Sequence, residues 1–172
     1  MPEELPSAYN PKDVEARIYA EWMKRGFFEP KKTKKQENKK TKTYTILLPP
    51  PNITGSLHMG HTLNATIADI LIRYHRMKGE NAAWLPGIDH AGIAAQNVVE
   101  KQLRKENVSR FDLGREKFVE KVWEWKEKYG TIILDQLKRL GASCDWSHTR
   151  FTMDPTYSAW VNRAFIHNYE KG

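Results

Sequence analysis

Apolar residues along the chain change between two spacings, one typical of strands and the other typical of helices. Short β-rich runs cover residues 44–48 and 82–85, and between them apolar residues recur three and four positions apart. These apolar residues are Leu63, Ile67, Ile70, Leu71, Tyr74 and Met77. A strand, a helix and a second strand in this order predict a βαβ unit with parallel strands. Gly79 is expected to end the helix, as glycine commonly does.

Helical spacing also recurs on either side of this unit. The predicted helices cover residues 11–28, about 93–105, about 112–140, and 155 to the final residues. Asp112 is the expected N-cap of the third of these helices, and Pro155 suits the first turn of the last. The buried stripe predicted for the third helix consists of Val119, Val122, Trp123, Tyr129, Ile133, Leu137 and Leu140. Residues 143–152 are predicted to form a strand or an extended hairpin.

These elements predict an α/β fold that is incomplete within this chain. Two or three parallel strands with flanking helices form the first half of a doubly wound, Rossmann-like sheet. One edge of such a half-sheet is bare, so we expect a partner or a further segment of chain to cover it. Residues 1–43 are predicted to hold the N-terminal helix and a lysine-rich loop, and residues 44–172 the half-sheet. Four tryptophans are interpreted as core residues, namely Trp84, Trp123, Trp125 and Trp160.

Composition favours a protein of the cell interior. The chain has 172 residues, enough for one domain, and 40% of them are hydrophobic, enough for a core. Mean hydropathy is -0.71, and no run approaches the roughly 20 apolar residues of a membrane span. The first residues lack a signal-peptide pattern, and Cys144 is the only cysteine. We therefore expect a cytoplasmic protein with no internal disulfide and no membrane partner.

The basic charge of the chain is concentrated in one segment. The net charge is +7, and residues 31–42 contribute seven lysines against one acid, Glu37. The rest of the chain is therefore almost neutral. Such a polar run cannot bury apolar area, so a solvated loop is the simplest interpretation. A contact with the phosphate backbone of a nucleic acid stays open as an alternative.

Candidate chemistry is concentrated in residues 49–61, whose sequence is PPPNITGSLHMGH. This segment joins the first predicted strand to the following helix, where open α/β sheets bind their ligands. Gly55 permits a tight turn, and Gly60 permits a flat ring to approach the backbone. His58 and His61 are three residues apart, so both project to one side of the first helical turn. There their N–H groups can donate to phosphate oxygens near the positive end of the helix dipole.

The histidine spacing leaves two other interpretations open. His58 and His61 can form half of a zinc site, to which Asp89 and His90 would add ligands. They can equally be ordinary polar residues at the start of a helix. The Gly-Lys-Ser/Thr sequence of a phosphate-binding P-loop is absent from the chain, which argues against an ordinary ATPase.

The complete segment resembles the HIGH signature of the class I aminoacyl-tRNA synthetases and, in its extended form, that of the valyl-tRNA synthetases. Three prolines, an asparagine and Thr-Gly-Ser before the signature are the features shared with the valyl enzymes. The resemblance extends from Tyr9 to the end of the chain. It includes Arg73-Tyr74, Arg76-Met77, WLPGIDHAGIAAQ (84–96), LGREKF (113–118), VWEWKE (122–127), LKRLGAS (137–143) and FTMD (151–154). Ile88 and Ala95 depart from it, because the family usually has threonine at both positions.

The resemblance implies a HIGH-type nucleotidyltransferase fold with an ATP site. In that site His58 and His61 would bind the ATP phosphates and act catalytically, by stabilising the pentavalent transition state. Gly60 would lie under the adenine or the ribose. Positioning and charge stabilisation of this kind are what in-line phosphoryl chemistry requires.

The resemblance also implies a site for L-valine. Pro49 and Pro50 would form part of the wall around the valine side chain, with Asn52 nearby. Asp89 would pair with the ammonium group, because a buried ammonium without a counter-charge is costly. Asp89 can instead cap the helix that follows it, which stays open as an alternative.

In the family's reaction, the carboxylate of valine attacks the α-phosphate of ATP in the presence of Mg²⁺, and the valyl group then passes to tRNA(Val). No protein-bound zinc is expected in this segment. The Lys-Met-Ser-Lys-Ser signature of the family is absent from the chain. We therefore expect the N-terminal half of the catalytic domain of a valine–tRNA ligase, complete only with the downstream part of the enzyme. The implied partners are ATP, L-valine, tRNA(Val) and the remainder of the synthetase chain.

Two other functions stay open. One is a truncated relative that binds ATP or tRNA without turnover. The other is a different adenylyl-transferring enzyme, since other nucleotidyltransferases share an HxGH loop. Those enzymes lack the DHAG and LGREKF blocks at residues 89–92 and 113–118.

Overall fold

The computed structural model describes residues 8–31 and 41–172 and shows parallel strands with flanking helices. In chain order the elements are α1 (Pro11–Lys24), β1 (Thr43–Leu47), α2 (Met59–Met77), β2 (Asn81–Leu85), β3 (Gly87–Ile88), α3 (Gly92–Lys105), α4 (Arg110–Arg139), a 3-10 helix (Trp146–His148), β4 (Arg150–Phe151) and α5 (Pro155–Lys171). Most of the predicted lysine-rich loop lies outside the described residues. None of the helices in the described ranges has the length and apolar character needed to span a bilayer.

β1, α2 and β2 form the predicted βαβ unit. β1 pairs with β2 in parallel along its full length. At the other edge of β2, the backbone N–H of Asp145 donates to the carbonyl oxygen of Trp84 at 2.8 Å. No strand of residues 8–31 or 41–172 pairs with the other edge of β1. The α/β class and the incomplete parallel sheet are therefore as the sequence predicts.

A second parallel pair continues beyond β2. β3 pairs with β4, beginning at Gly87 opposite Arg150. A β-carbon at Gly87 would lie 3.1 Å from the carbonyl oxygen of Arg150, so glycine suits this close approach of two backbones. The pairing brings residues 89 and 152, which follow the two strands, to the same place.

Within the described residues, three groups of buried side chains hold the elements together. The first joins α2, β2 and the end of α4, and consists of Leu48, Ala65, Ala68, Ile72, Ala82, Trp84, Leu137, Ala142 and Cys144. The second lies beneath the loop after β1 and consists of Ile53, Ile88, Ala95 and Ile133. The third packs α3 against α4 and consists of Val99, Leu103 and Phe118.

α2 buries a different face from the one that carries its large apolar residues. The buried residues are Ala65, Ala68 and Ile72. The six large residues of the predicted stripe are all exposed, from 41% for Leu71 to 87% for Met77. Alanines face the sheet because their small side chains let the helix lie close to it. Helical spacing alone does not distinguish an inward face from an outward one.

α4 begins and bends differently from the prediction. Its N-cap is Ser109, and Asp112 completes a capping box by accepting a hydrogen bond from the N–H of Ser109 at 2.8 Å. Gly114 has φ 75° and separates a short first turn from the long body of the helix. The buried residues of α4 are Phe118, Gly130, Ile133 and Leu137. Of the predicted stripe, Val119, Trp123 and Leu140 are exposed.

The segment from 143 to 152 is not the long strand or hairpin that the sequence suggests. The buried carboxylate of Asp145 accepts from the N–H of Ser147 at 3.2 Å and caps a 3-10 helix, so only β4 remains extended. The core interpretation of the tryptophans is confirmed for Trp84, which is fully buried. It is wrong for Trp123 and Trp160, because α5 buries no residue and Trp123 is 43% exposed.

Candidate functional site

The loop after β1 is paired along its backbone with the segment after β3. The N–H of Asp89 donates to the carbonyl oxygen of Pro51 at 2.9 Å, and the N–H of Ile53 donates to the carbonyl oxygen of Asp89 at 3.1 Å. Asn52 thereby lies opposite Asp89 in a parallel bridge. These two predicted valine-site residues are neighbours because the carboxyl ends of parallel strands lie at the same edge of a sheet.

Two side chains of α4 hydrogen-bond to the backbone of the same loop. The indole N–H of Trp125 donates to the carbonyl oxygen of Ile53 at 2.6 Å. The side-chain oxygen of Gln136 accepts from the N–H of Leu57 at 2.8 Å. Ile53 itself is almost completely buried. The loop is therefore fixed by polar and apolar contacts on its inner side, while its outer side stays available to a ligand.

His58 and His61 face each other at the start of α2, with ring centroids 4.0 Å apart. His58 is the N-cap, and its Nδ1 accepts from the N–H of Gly60 at 3.1 Å. The Nδ1 of His61 accepts from the N–H of His58 at 3.3 Å. A ring nitrogen that accepts carries no proton, so each imidazole has its hydrogen on Nε2. Each Nε2–H points away from the backbone amides and can donate to a ligand.

Gly60 allows the His58 ring to lie against the backbone. A β-carbon on Gly60 would lie 3.0 Å from Cε1 and 3.2 Å from Nδ1 of His58, which is tighter than ordinary van der Waals contact. The flat ring that approaches Gly60 in this structure is therefore the imidazole of His58. Gly55 has open space where a β-carbon would lie, and its φ is outside the left-handed region. The turn at Gly55 does not depend on the conformational freedom of glycine.

The environment of His61 favours its neutral form. Burial lowers the pKa of His61 below its ordinary value of 6.5, and the neighbouring His58 lowers the pKa further. A protonated ring would carry hydrogen on both nitrogens and lose the bond from the N–H of His58 to Nδ1. The lowered pKa and the capping geometry therefore agree, and His61 offers its Nε2–H as a neutral donor.

Asp89 does not cap the helix that follows it. The N-cap of α3 is Ala91, with φ 55° and no side-chain cap, so the alternative role of Asp89 as an N-cap is wrong. Its Oδ1 instead accepts from the hydroxyl of Thr152 at 2.7 Å. The side chain of Asp89 is 30% exposed, which leaves the carboxylate accessible. Pro49 and Pro50 are exposed and follow the end of β1.

The zinc interpretation finds no support in the geometry. The residues that the structure describes contain no group of three or more His, Cys, Asp or Glu side chains placed to hold a metal ion. The Nδ1 of His90 lies 2.6 Å from the hydroxyl oxygen of Thr152, so this ring nitrogen is occupied by a hydrogen bond.

The predictions from sequence assigned no role to a cavity that His90 lines. The cavity has a volume of about 740 Å³ and is bordered by α3, α4 and the end of β4. Lys126 lies in its wall, with Nζ 5.1 Å from the ring centroid of Phe151 and 5.8 Å from that of Trp123. His90 and Ile53 connect this cavity to the loop after β1. Phe151 and Met153 of the FTMD block (151–154) line this cavity. That block was the feature of the sequence that could have indicated it.

Comparison with known proteins places this geometry in a family. Residues 17–172 match the family described as tRNA synthetases class I (I, L, M and V). The valine–tRNA ligase of Bdellovibrio bacteriovorus is 53% identical over 172 residues, which cover 100% of this chain and 19% of that protein. The valine–tRNA ligase of Carboxydothermus hydrogenoformans is 53% identical over 168 residues, 98% of this chain and 18% of that protein. The chain thus spans about a fifth of the length of the curated relatives that it matches.

A solved structure agrees in fold. The LeuRS of Agrobacterium radiobacter K84, in a ternary complex with tRNA and LeuAMS, superposes with a TM-score of 0.74 at 21% sequence identity. The match covers 96% of this chain and 19% of that one. The HIGH-like loop, the parallel strands that hold it and the match over residues 17–172 lead to one conclusion. The chain belongs to the class I tRNA synthetase family.

Proposed function

We propose that this chain supplies the first part of the active site of a valine–tRNA ligase. In this proposal the enzyme uses ATP to convert L-valine to valyl-adenylate and transfers the valyl group to tRNA(Val). The observation that carries the proposal is 53% identity to valine–tRNA ligases over the whole chain. Residues 44–172 would form the N-terminal half of the catalytic domain, and activity would require the part of the relatives that this chain does not match. We expect the enzyme to act in the cytoplasm.

The proposed first step is the attack of the valine carboxylate on the α-phosphate of ATP, with pyrophosphate as the leaving group. Negative charge on the phosphate oxygens increases in the transition state. The Nε2–H groups of His58 and His61 would donate to those oxygens, near the N-terminus of α2 where the helix dipole also favours negative charge. Hydrogen bonds that strengthen as charge develops accelerate the reaction more than they improve ATP binding.

The amino acid would lie at the ends of the strands, on the outer side of the loop after β1. Asp89 would pair with its ammonium group, and Pro49, Pro50 and Asn52 would line the space for its side chain. Mg²⁺ enters this proposal with the ATP phosphates, which it accompanies as part of the substrate. No side chain of this chain is assigned to it.

The test of this function is amino-acid-dependent exchange of pyrophosphate into ATP by the native gene product that contains this chain. We expect exchange with valine and much weaker exchange with isoleucine and leucine. Binding of ATP or tRNA without exchange by any amino acid would contradict the proposal and favour a binding module. Exchange with leucine or isoleucine in preference to valine would place the chain in another branch of the family.

Two amide variants test the role of His61. Gln places its amide near the position of Nε2, whereas Asn places its amide near the position of Nδ1. If donation from Nε2 drives the reaction, His61→Gln should keep more activity than His61→Asn, and both should lower kcat more than they raise KM for ATP. If His61 serves only as a cap, the order of the two variants should reverse, because only Asn can still accept from the N–H of His58.

A further inference from the structure

The hydroxyl of Thr152 uses its full hydrogen-bonding capacity at one place. It donates to Asp89 Oδ1 at 2.7 Å and accepts from the backbone N–H of His90 at 2.9 Å. The Nδ1 of His90 lies 2.6 Å from the same hydroxyl oxygen. A hydroxyl has one hydrogen, and here the carboxylate receives it, so the Nδ1 of His90 must carry a proton and donate. Two donors and one acceptor therefore fix the direction of the Thr152 hydroxyl.

Strand pairing explains why Thr152 reaches Asp89. The two residues directly follow β3 and β4, and the N–H of Thr152 extends the pairing by donating to the carbonyl oxygen of Ile88 at 3.2 Å. On its other side the backbone of Asp89 is bonded to Pro51 and Ile53. The main chain of Asp89 is thus held from both sides. The orientation of its carboxylate is what remains to be fixed.

We propose that Thr152 is a positioning residue that holds the Asp89 carboxylate in the orientation that receives the α-ammonium group of the amino-acid substrate. This inference rests on the proposed function. Thr152 occupies Oδ1, and the Nδ1 of His90 lies 3.3 Å from the same oxygen. Oδ2 is therefore the oxygen presented to the ammonium group. A carboxylate that is already oriented loses less conformational freedom when the substrate binds.

A threonine suits this task better than a charged residue would. An arginine or lysine at the same place would neutralise the carboxylate and compete with the ammonium group for it. A hydroxyl orients Oδ1 through one hydrogen bond and leaves the negative charge of Asp89 to the substrate. The bonds from His90 keep the hydroxyl hydrogen directed at Asp89, because they occupy the lone pairs of the hydroxyl oxygen.

The test compares Thr152→Val, which keeps the volume and removes the hydroxyl, with Thr152→Ser, which keeps the hydroxyl. The native gene product is assayed by valine-dependent pyrophosphate exchange. We expect Thr152→Val to raise KM for valine about tenfold, the effect of one lost hydrogen bond to a charged group. KM for ATP should change less than about twofold, and Thr152→Ser should stay close to the unchanged protein, since the hydroxyl is retained.

A double variant separates positioning from general damage. In an Asp89→Asn background, Thr152→Val should raise KM for valine by less than about twofold more, because the hydroxyl acts through Asp89. A full additional loss in that background would overturn the inference, and so would equal KM values for valine in the Val and Ser variants. If Thr152→Val does not fold, Thr152→Ser against Thr152→Ala isolates the hydroxyl in the same way.

A spectroscopic readout tests the geometry without catalysis. NMR of ¹⁵N-histidine-labelled protein reports which ring nitrogen carries the hydrogen, and the His90 signal is assigned by its loss in His90→Gln. We expect the hydrogen of the His90 ring on Nδ1. Thr152→Ser should keep the Nδ1 resonance of His90 in place, whereas Thr152→Val should shift it, because Nδ1 loses the hydroxyl oxygen at 2.6 Å and keeps only Asp89 Oδ1 at 3.3 Å. An unchanged Nδ1 resonance together with an unchanged KM for valine in Thr152→Val would overturn the inference. A shifted resonance in a protein that activates no amino acid would instead contradict the proposed function.

Discussion

The two ends of α2 use their polar side chains in opposite ways. At the N-terminal end, the Nδ1 atoms of His58 and His61 bond, among the described residues, only to backbone N–H groups of their own turn, and each Nε2–H stays available to a ligand. In the C-terminal half, Asp69 accepts from the N–H of Ser143 at 2.9 Å and from the Nε of Arg73 at 2.6 Å. The polar groups of that half are therefore used inside the protein.

The C-terminal half of α2 therefore supports the fold, whereas the first turn is the part that would contact ATP in the proposed function. Arg76 donates to the hydroxyl of Ser143 at 2.7 Å and to the carbonyl oxygen of Phe28 at 3.0 Å, which ties α2 to the segments that follow α4 and α1. Ile72 on the same half is fully buried. Substitutions of the buried and hydrogen-bonded residues of the C-terminal half should therefore lower stability, whereas substitutions in the first turn should lower activity at little cost in stability.

The largest effect is expected from Ile72→Ala in the buried half. Removing a fully buried isoleucine leaves a cavity, and the free energy of unfolding should fall by about 3 kcal/mol. Ile70→Ala is the matched control, because Ile70 is 61% exposed and should change stability by less than about 0.5 kcal/mol. Chemical denaturation of both variants measures the difference. Equal losses would mean that the large apolar face of α2 is the buried one after all.

A smaller loss is expected from Asp69→Ala. The variant leaves the N–H of Ser143 and the guanidinium of Arg73 without their acceptor, so the free energy of unfolding should fall by about 2 kcal/mol. Asp69→Asn keeps one oxygen for Ser143 and loses the charge, and should cost about half as much. Denaturation at low and high salt distinguishes the two contributions, since only the ionic one is screened. A neutral Asp69→Ala would contradict the supporting role of this half.

The sequence predicted that α2, β1 and β2 exist and where they lie in the chain, but it did not predict which face of α2 is buried. The strands at 44–48 and 82–85 and the helix between them follow from apolar spacing and from Gly79, which has φ 77° at the end of α2. The inward face did not follow, because Ala65 and Ala68 contribute little to an apolar pattern yet pack closest to the sheet. The pattern located a helix, and tertiary packing decided which side of it faces the core.

The residues of the candidate site could be predicted from the sequence, but the hydrogen bonds between them could not. The family resemblance singled out His58, His61 and Asp89, and parallel strands explain why Asp89 lies beside the loop after β1. The partner of Asp89 was not predictable, since Thr152 is 63 residues away in sequence and reaches it only through the pairing of β3 with β4. A two-residue strand gives no periodic signal.

At the N-terminal end of α2, Gly60→Ala should lower valine-dependent pyrophosphate exchange and leave stability nearly unchanged. The new β-carbon would push the His58 ring away by a few tenths of an ångström, and such a small shift of a donor is enough to reduce catalysis. The helical backbone at Gly60 accepts alanine, so the free energy of unfolding should change by less than about 1 kcal/mol. Gly55→Ala is the control in the same loop, and it should retain activity because its β-carbon meets open space. Equal activity of the two variants would contradict the close approach of His58 to Gly60.

The smallest effect concerns the protonation of His61. Because the folded chain holds the pKa of His61 below 6.5, the unfolded chain binds a proton first as the pH falls. The contribution of His61 to stability is therefore complete above pH 6.5 and is lost as the pH falls below 6.5 towards the folded pKa. NMR titration of the His61 ring should give a midpoint below 6.5. A midpoint at or above that value would contradict the burial of this ring.

His58→Gln tests which of two causes lowers the pKa of His61, because it removes the neighbouring imidazole and leaves the burial of the ring unchanged. Burial is the larger cause of the lowered pKa of His61, and the neighbouring imidazole is the smaller. The variant should therefore raise the pKa of His61 only part of the way towards 6.5, because the ring stays as buried as before. A complete return to 6.5 would show that the imidazole pair, and not burial, keeps His61 neutral. The neutral state of His61 would then depend on the pairing of the His58 and His61 rings. It would not depend on packing of the kind that supports the C-terminal half of α2.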